Sequence, residues 1–349
     1  LRPSVYLPTT LDFITVGHLG RSMPTVYAAL GDRVLAVHGS EESWRTVVRL
    51  EDRVPECIAA SPDEPGRVFV GADGSGMWRS TDGGRNFDRA WLADAPGTVT
   101  AATVSPHDPD VIWAGTEPSK VYCSTDAGES WRLRPGLTDL PSAERWAFPP
   151  RPETHHVRWI EPDPHHPDRL YIGIEAGALV RTDDGGETWQ ERPEGARRDI
   201  HQIAIHRAEP GRVYVAAGDG YAESGDRGDS WTEPQAGLEH RYVWSVAVDP
   251  ADPEHVLVSA ATSAHRAHDP DGQNYVYRRE RDRFEVSMDG LPGPEGIARP
   301  VLATGPDGAF YALTNHGLFR SPTGDGWHRL PVDWQDRYRE QIPRGLAVV

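Results

Sequence analysis

The chain has 349 residues and a formal net charge of −17, from 53 acidic and 36 basic side chains. This excess of carboxylates disfavours binding to the phosphate backbone of nucleic acids, and no apolar run approaches the roughly 20 residues of a membrane span. The 35 Gly and 31 Pro are spread through the chain and favour a fold with many tight turns. No signal peptide is visible at Leu1, so we expect a soluble protein, either cytoplasmic or secreted after removal of a leader.

Aromatic residues recur along the chain at spacings of 43, 44, 58, 42, 53 and 43 residues: Trp44, Phe87, Trp131, Trp189, Trp231, Phe284 and Trp327. Such a period with strand-like runs is typical of four short strands per unit, the blade of a β-propeller. We therefore predict an all-β, seven-bladed β-propeller in a single domain, residues 1–349. The predicted blades are 1–53 with 343–349, 54–96, 97–153, 154–197, 198–240, 241–295 and 296–342.

The first blade is incomplete at the N-terminal end of the chain. Three strand-like runs are present there, at residues 25–29, 34–37 and 44–48, but the innermost strand is missing. Because residues 345–349 resemble the start of a further unit, we predict that this C-terminal strand completes the first blade and closes the ring. Residues 1–20, with apolar runs at 5–7 and 13–16, either precede this blade or join it.

Four predicted hairpins share the pattern [Ser/Thr]-x-Asp-x-Gly-x-x-[Trp/Phe], at residues 80–87, 124–131, 182–189 and 224–231. At this spacing the Asp carboxylate and the preceding hydroxyl can accept N–H groups of the turn, and the Gly can adopt a positive φ. The aromatic residue then opens the next strand and buries a large apolar area. We interpret each copy as a device that folds a hairpin.

This pattern resembles the Asp box, or BNR repeat, of sialidase-like, xyloglucanase-like and sortilin-like β-propellers and of a photosystem assembly factor. The resemblance implies a propeller in which the box carries no catalysis. The sialidase arginine triad, nucleophile and acid are not transferred, because the chain has no Phe-Arg-Ile-Pro motif and those propellers have six blades. Xyloglucanase-like members pair two seven-bladed propellers around a cleft, whereas this chain predicts one.

The longer loops are predicted on one face of the ring. In a four-stranded blade, the Pro-rich first-to-second turns and the Asp-box hairpins lie on one face. Two insertions, residues 137–154 and 261–273, and the connection 333–343 fall on the opposite face, where binding residues concentrate. A protein partner would dock on the two insertions. Trp146 and Phe148 would contact that partner, form a lid over a pocket or pack on the neighbouring blade.

The innermost strands line the central channel. They place polar residues at the end of the channel that opens on the face with the long loops. One ring of equivalent positions holds Glu56, Thr100, Arg158, His201 and Trp244, and positions two residues earlier include His156, Asp199 and Tyr242. Since Val and Ile are expected on buried strands, this pattern predicts either a polar ligand pocket or a water-filled channel. We favour an anionic or carbohydrate-like ligand, with Arg158, Trp244, Arg241, Arg299, His316 and Thr100 as binding residues.

Two types of chemistry on such a ligand fit the candidate catalytic residues, which are His156, His201, Tyr242, Glu56 and Asp199. Glycoside hydrolysis would use the carboxylates of Glu56 and Asp199. Lyase-type elimination would use His or Tyr as base and an Arg to neutralise the substrate carboxylate. Whether the protein is an enzyme stays open, the alternative being a non-catalytic scaffold or assembly factor that binds a protein partner.

Two further sets of residues complete the predicted site. Arg158, Arg241 and Arg299 are candidates for an anion clamp, because guanidinium groups match carboxylates bidentately. A divalent metal is an option rather than a requirement, with His156, His201 and His316 as its ligands. No short motif brings these three histidines together.

Overall fold

The computed structural model of the protein describes residues 24–39, 43–91, 94–191 and 194–349. The predicted apolar runs at residues 5–7 and 13–16 lie outside the described residues. The described chain forms seven antiparallel sheets, and the first strands of successive sheets contact one another around a closed ring. The predicted fold class, a seven-bladed β-propeller, is confirmed.

In the described part of the chain six blades have four strands, and the fifth has three strands plus a bridge between Glu223 and Thr232. The strands are β1 (Thr25–Ala29), β2 (Val34–Gly39), β3 (Trp44–Arg49), β4 (Pro55–Ser61), β5 (Glu64–Ala72), β6 (Gly76–Ser80), β7 (Asp88–Arg89), β8 (Thr98–Val104), β9 (Ile112–Glu117), β10 (Val121–Ser124), β11 (Arg132–Arg134), β12 (Val157–Pro162), β13 (Leu170–Ile174), β14 (Ala178–Thr182), β15 (Gln190–Glu191), β16 (Ile200–Ile205), β17 (Val213–Ala217), β18 (Gly220–Ser224), β19 (Tyr242–Asp249), β20 (Asp252–Ala261), β21 (Asn274–Glu280), β22 (Arg283–Val286), β23 (Val301–Thr304), β24 (Phe310–Thr314), β25 (Gly317–Ser321), β26 (His328–Arg329) and β27 (Gly345–Val348).

The C-terminal strand closes the ring as predicted. β27 pairs antiparallel with β1, with Leu346 opposite Ala28, and the first blade has the order β27-β1-β2-β3. The N–H of Thr25 donates to the carbonyl of Val349 at 2.7 Å, and the N–H of Val349 donates back at 3.0 Å. β27 also contacts β4 and β23, the inner strands on either side. The backbone groups of β1 are thereby paired on both sides of the strand.

Hydrogen bonds inside the four repeated hairpins explain their shared residues. In the third blade Ser124 Oγ accepts the N–H of Gly128 at 2.8 Å, and the Asp126 carboxylate accepts the N–H of Ser130 at 2.9 Å. Gly128 has a φ of 83°, a conformation that favours glycine. Equivalent pairs of acceptors are Ser80 with Asp82, Thr182 with Asp184, and Ser224 with Asp226.

Apolar contacts between neighbouring blades form the core of the ring. A Cβ added to Gly173 on β13 would collide with the side chain of Ile200 on the next inner strand. Gly115 on β9 faces Val157 in the same way. Glycine in the second strand therefore lets the inner strand of the next blade pack against it.

Short helices occur in the long connections of the ring. Leu137–Asp139 and Ala143–Arg145 are 3₁₀ turns of the first insertion, Ala264–Ala267 is the single-turn helix α1 of the second, and Asp336–Tyr338 is a 3₁₀ turn in the last connection. None of the described helices has the length and apolar character needed to cross a membrane.

Candidate functional site

The inner strands bring several of the predicted residues to one place in the channel. Glu56, Arg158, His201 and Trp244 line a single cavity, together with Arg344 from the connection before β27. The cavity volume is about 40 Å³, which is room for a few water molecules. The cavity is too small for a larger ligand. The end of the channel on the face that carries the two insertions is called the channel mouth below.

Trp244 lies at the centre of the contacts at this mouth. Its side chain is buried, and the guanidinium carbons of Arg299 and Arg158 lie 3.9 and 4.8 Å from its ring. The rings of His201 and His268 lie 4.5 and 4.9 Å away. Cation–π attraction stabilises both guanidinium groups beside one indole. The structure thus brings together two members of the predicted anion clamp.

Arg299 is 4% exposed and forms no ion pair with a carboxylate among the residues that the structure describes. Its Nε donates to the carbonyl of Pro343 at 3.1 Å, and its Nη1 lies 3.3 Å from Nε2 of His268. Burial, together with the charges of Arg344 and Arg158, lowers the pKa of the Arg299 guanidinium. The carboxylates of Glu175 and Glu56 oppose this lowering of the pKa but form no described bond to Arg299. Because a buried cation is costly, an anion supplied by a ligand would be stabilised by direct contact here.

His268, from the second insertion, completes this side of the mouth. Burial and the charge of Arg299 lower the pKa of His268 to about 2, so its imidazole is neutral at pH 7. Its Nε2 lies 3.3 Å from the hydroxyl of Tyr242. Burial, with the charges of Glu175 and Asp199, raises the pKa of Tyr242. The phenol is therefore protonated and acts as a hydrogen-bond donor at neutral pH.

A second group of charges surrounds Glu175, in the turn between β13 and β14. Glu175 Oε2 lies 2.9 Å from Nε2 of His156 and 3.7 Å from Nε of Arg158. Burial on its own raises the pKa of Glu175, but the hydrogen bond to His156 and the charges of His156, His201 and Arg158 lower it overall. Arg158 therefore faces a resident carboxylate, whereas Arg299 does not.

His201 and Asp199 lie beside Glu175. The His201 side chain is fully buried, and its Nδ1 lies 2.7 Å from the carbonyl of Val243. Its Nε2 has no hydrogen-bond partner in the described part of the chain and lies 3.7 Å from Oδ1 of Asp199, which accepts the N–H of Ala176 at 2.7 Å. Burial raises the pKa of Asp199, and the charge of Glu175 adds to this rise. One ligand atom from each of Glu175, Asp199 and His201 lies within 4.8 Å of the others.

Other predicted site residues have separate roles in the described structure. The hydroxyl of Thr100 donates to the carbonyl of Val157 at 2.6 Å and so joins two inner strands. Arg241 is exposed, and Nε2 of His316 lies 2.7 Å from the carbonyl of Gly296. No described contact brings His316 to His156 and His201, so the structure groups His201 with two carboxylates instead of the other two histidines.

The predicted pair of hydrolytic carboxylates is divided between two groups of charges. Glu56 Oε2 forms an ion pair with Nη1 of Arg344 at 3.1 Å. Asp199 belongs to the group around Glu175 and His201. No described contact joins Glu56 to Asp199.

The first insertion adjoins the site through one aromatic residue and packs into the core through another. The ring of Phe148 lies 4.7 Å from that of His156, edge to face. Trp146 is 5% exposed and belongs to the apolar cluster that includes Val157. Of the roles considered for Trp146, packing on the neighbouring blade is the one that the structure shows.

Sequence reasoning missed Glu175, His268 and Arg344 as members of the site. A signal for Glu175 was present, because an acid stands at or just after the end of the second strand in four successive blades: Asp73, Glu117, Glu175 and Asp219. His268 and Arg344 carried no comparable signal, since they come from irregular connections.

No family model and no curated protein matches the sequence. Among solved structures, a GH74 enzyme from Niastella koreensis has a TM-score of 0.66 at 16% identity, over 87% of this chain and 52% of that one. The GH74 xyloglucanase from Xanthomonas campestris has a TM-score of 0.60 at 17% identity, over 93% and 54%. YCF48 bound to D1 peptide has a TM-score of 0.57 at 14% identity, over 84% and 86%. The chain spans about half the length of these GH74 enzymes, and the likeness establishes the β-propeller fold alone.

Proposed function

We propose that the channel mouth binds a carboxylate-bearing saccharide and that Arg299 and Arg158 recognise the carboxylate. The observation that carries this proposal is the guanidinium of Arg299, which is buried and has no carboxylate partner among the described residues. A ligand carboxylate would supply a directly bonded counter-charge and accept bidentate hydrogen bonds.

Three observations support the class of ligand. Nε of Arg158 has no hydrogen-bond partner within the described ranges, so the second guanidinium at Trp244 also retains donor capacity. The hydroxyl of Tyr242 and the imidazole of His268 add neutral polar groups of the kind that bind sugar hydroxyls. The likeness to a xyloglucanase favours a saccharide, and the two arginines favour an acidic one.

The geometry supports binding more directly than catalysis. Tyr242 has a raised pKa, and a general base needs a pKa close to the working pH. Tyr242 is therefore better suited to donating a hydrogen bond than to abstracting a proton. No described contact joins Glu56 to Asp199, the predicted hydrolytic pair. We therefore propose ligand binding in preference to hydrolysis by two carboxylates.

A second candidate function is the binding of a peptide segment from a protein partner. It is favoured by the match in length to YCF48 bound to D1 peptide, of which this chain covers 86%. Phe148 and the rest of residues 137–154, with residues 261–273, would form the rim of such a site. Trp146, which the sequence analysis considered as a contact for such a partner, is buried and therefore does not form part of this rim.

Isothermal titration with oligogalacturonides and with neutral xyloglucan oligosaccharides tests the main proposal. We expect only the acidic ligand to bind, and Arg299→Gln or Arg158→Gln to weaken it about tenfold or more, because a charged hydrogen bond contributes about 2 kcal/mol. Arg241→Gln is the matched control, since this exposed guanidinium lies next to Tyr242 in sequence. Equal binding of both ligands, or an equal loss in Arg241→Gln, would contradict the proposal, and binding of neither would shift the search to peptide partners.

A further inference from the structure

We infer that Glu175, Asp199 and His201 form a binding site for one divalent first-row transition-metal cation, such as Zn²⁺ or Mn²⁺. The three side chains come from the β13–β14 turn, the connection before β16, and β16 itself. Each offers one ligand atom, and the three atoms lie within 4.8 Å of one another. This site adjoins the proposed anion site, because Arg158 lies 3.7 Å from Glu175, but the two sites share no ligand residue.

The surroundings of the Nε2 atom of His201 are the strongest argument for a cation. Because its Nδ1 lies 2.7 Å from the carbonyl of Val243, which can only accept, that nitrogen carries a proton and Nε2 is the nitrogen left to bind a metal ion. Among the residues that the structure describes, Nε2 is buried without a hydrogen-bond partner, and its nearest carboxylate oxygen, Asp199 Oδ1, is 3.7 Å away. At this distance no hydrogen bond forms. A metal ion placed between Nε2 and the two carboxylates would bond to all three ligand atoms at once.

Each of the three side chains is also held by a partner outside the cluster. The N–H of Ala176 donates to Asp199 at 2.7 Å, and His156 lies 2.9 Å from Glu175. The carbonyl of Val243 orients His201. Metal ligands in proteins characteristically have such outer hydrogen bonds, which fix the tautomer of histidine and the orientation of carboxylates.

The ligand set and the surrounding charges narrow the choice of ion. One imidazole and two carboxylates suit Zn²⁺ or Mn²⁺ better than Ca²⁺, which prefers six to eight oxygen ligands. Metal–ligand bonds of about 2.0–2.2 Å require the side chains to move together slightly on binding. The positive charge of Arg158, 3.7 Å from Glu175, repels a cation bound at this site. Bonds to a transition metal are strong enough to offset this repulsion. Three protein ligands leave at least one coordination position for water or substrate.

Titration of chelator-treated protein with ZnCl₂, MnCl₂ and CaCl₂, without any anionic saccharide, tests the inference. We expect one Zn²⁺ or Mn²⁺ ion per chain, a rise in melting temperature on binding, and no comparable effect of Ca²⁺. Asp199→Asn should weaken binding at least about tenfold, since removal of even an outer partner of a metal site costs 10–100-fold. This variant keeps an oxygen that can accept the N–H of Ala176, whereas replacement of the fully buried His201 risks the fold.

Asp219→Asn is the matched control, because Asp219 lies near the backbone of Asp199 but is not one of the three ligands. It should bind the ion with unchanged affinity. The inference is overturned if the wild type binds no ion saturably at one per chain, if Asp199→Asn binds as tightly as the wild type, or if both variants lose affinity equally. The result is independent of the oligogalacturonide titration, so either proposal can fail without the other.

Discussion

Nη1 of Arg299 lies 3.3 Å from Nε2 of His268, so a buried guanidinium donates to a neutral imidazole where a carboxylate would be the usual partner. The contact joins the last blade to the second insertion. Arg299 has no carboxylate bonded to it among the described residues, and burial together with the charge of Arg299 lowers the pKa of His268. The same contact therefore connects the proposed ligand site to the dependence of stability on pH.

The first prediction concerns that pH dependence. The pKa of His268 is about 2 in the folded protein and near its ordinary value of 6.5 in the unfolded chain. Below pH 6.5 the imidazole of His268 therefore gains a proton in the unfolded chain but not in the folded protein. The contribution of neutral His268 to the free energy of unfolding is complete above pH 6.5 and is lost as the pH falls toward 2. The loss is about 1.4 kcal/mol for each pH unit in this range.

Urea denaturation at pH 7.5 and pH 5.5 checks this expectation. Between these two pH values, His268→Gln should lose about 1 kcal/mol less stability than the wild type, because glutamine does not titrate. His328→Gln is the control, since His328 is exposed in the folded protein and we expect it to behave like the wild type. If His268→Gln and the wild type lose equal stability, His268 is not held neutral by its surroundings.

The second prediction concerns the repeated hairpins. Ser124 is 1% exposed, accepts the N–H of Gly128 at 2.8 Å and donates to the carboxylate of Asp126 at 2.8 Å. Ser124→Ala leaves the N–H of Gly128 buried without an acceptor, which we expect to cost about 1–3 kcal/mol in the free energy of unfolding. Urea denaturation at neutral pH measures the difference.

Ser130→Ala in the same hairpin provides the comparison. The hydroxyl of Ser130 also bonds to Asp126, but it is exposed, so its loss should change stability by less than about 0.5 kcal/mol. Equal changes in the free energy of unfolding for the two substitutions would show that burial of the serine hydroxyl does not determine its contribution to stability.

The third prediction concerns closure of the ring. Removal of residues 345–349 deletes β27 and leaves one side of β1 unpaired, including the N–H of Thr25. We expect a loss of about 2 kcal/mol or more, since each backbone hydrogen bond contributes about 1 kcal/mol. The exposed edge should also cause self-association that increases with protein concentration in size-exclusion chromatography.

Leu346→Ala separates the backbone contribution of β27 from its side-chain packing. This substitution keeps the pairing of β27 with β1 and removes part of a half-buried side chain. It should reduce stability without changing the elution volume at any concentration. Association of Leu346→Ala to the same extent as the shortened chain would rule out the unpaired edge as the cause.

The sequence alone determined the architecture, because repeat spacing, turn chemistry and ring closure are local or periodic properties. The period of the aromatic residues predicts seven blades, and the C-terminal run predicts the strand that pairs with β1. Alignment of the inner strands also located Arg158, His201 and Trp244 at one level of the channel, and the structure brings these three residues to one cavity.

Only the tertiary structure decided which polar groups meet and how they are charged. Glu175 reaches His201 from a turn of the preceding blade, and His268 reaches Trp244 from an irregular insertion. Such contacts depend on the twist of neighbouring blades and on loop conformations that no repeat pattern encodes. Burial then determines the protonation of His268 and leaves Arg299 without a carboxylate, because the cost of charge depends on the surrounding atoms and not on residue type.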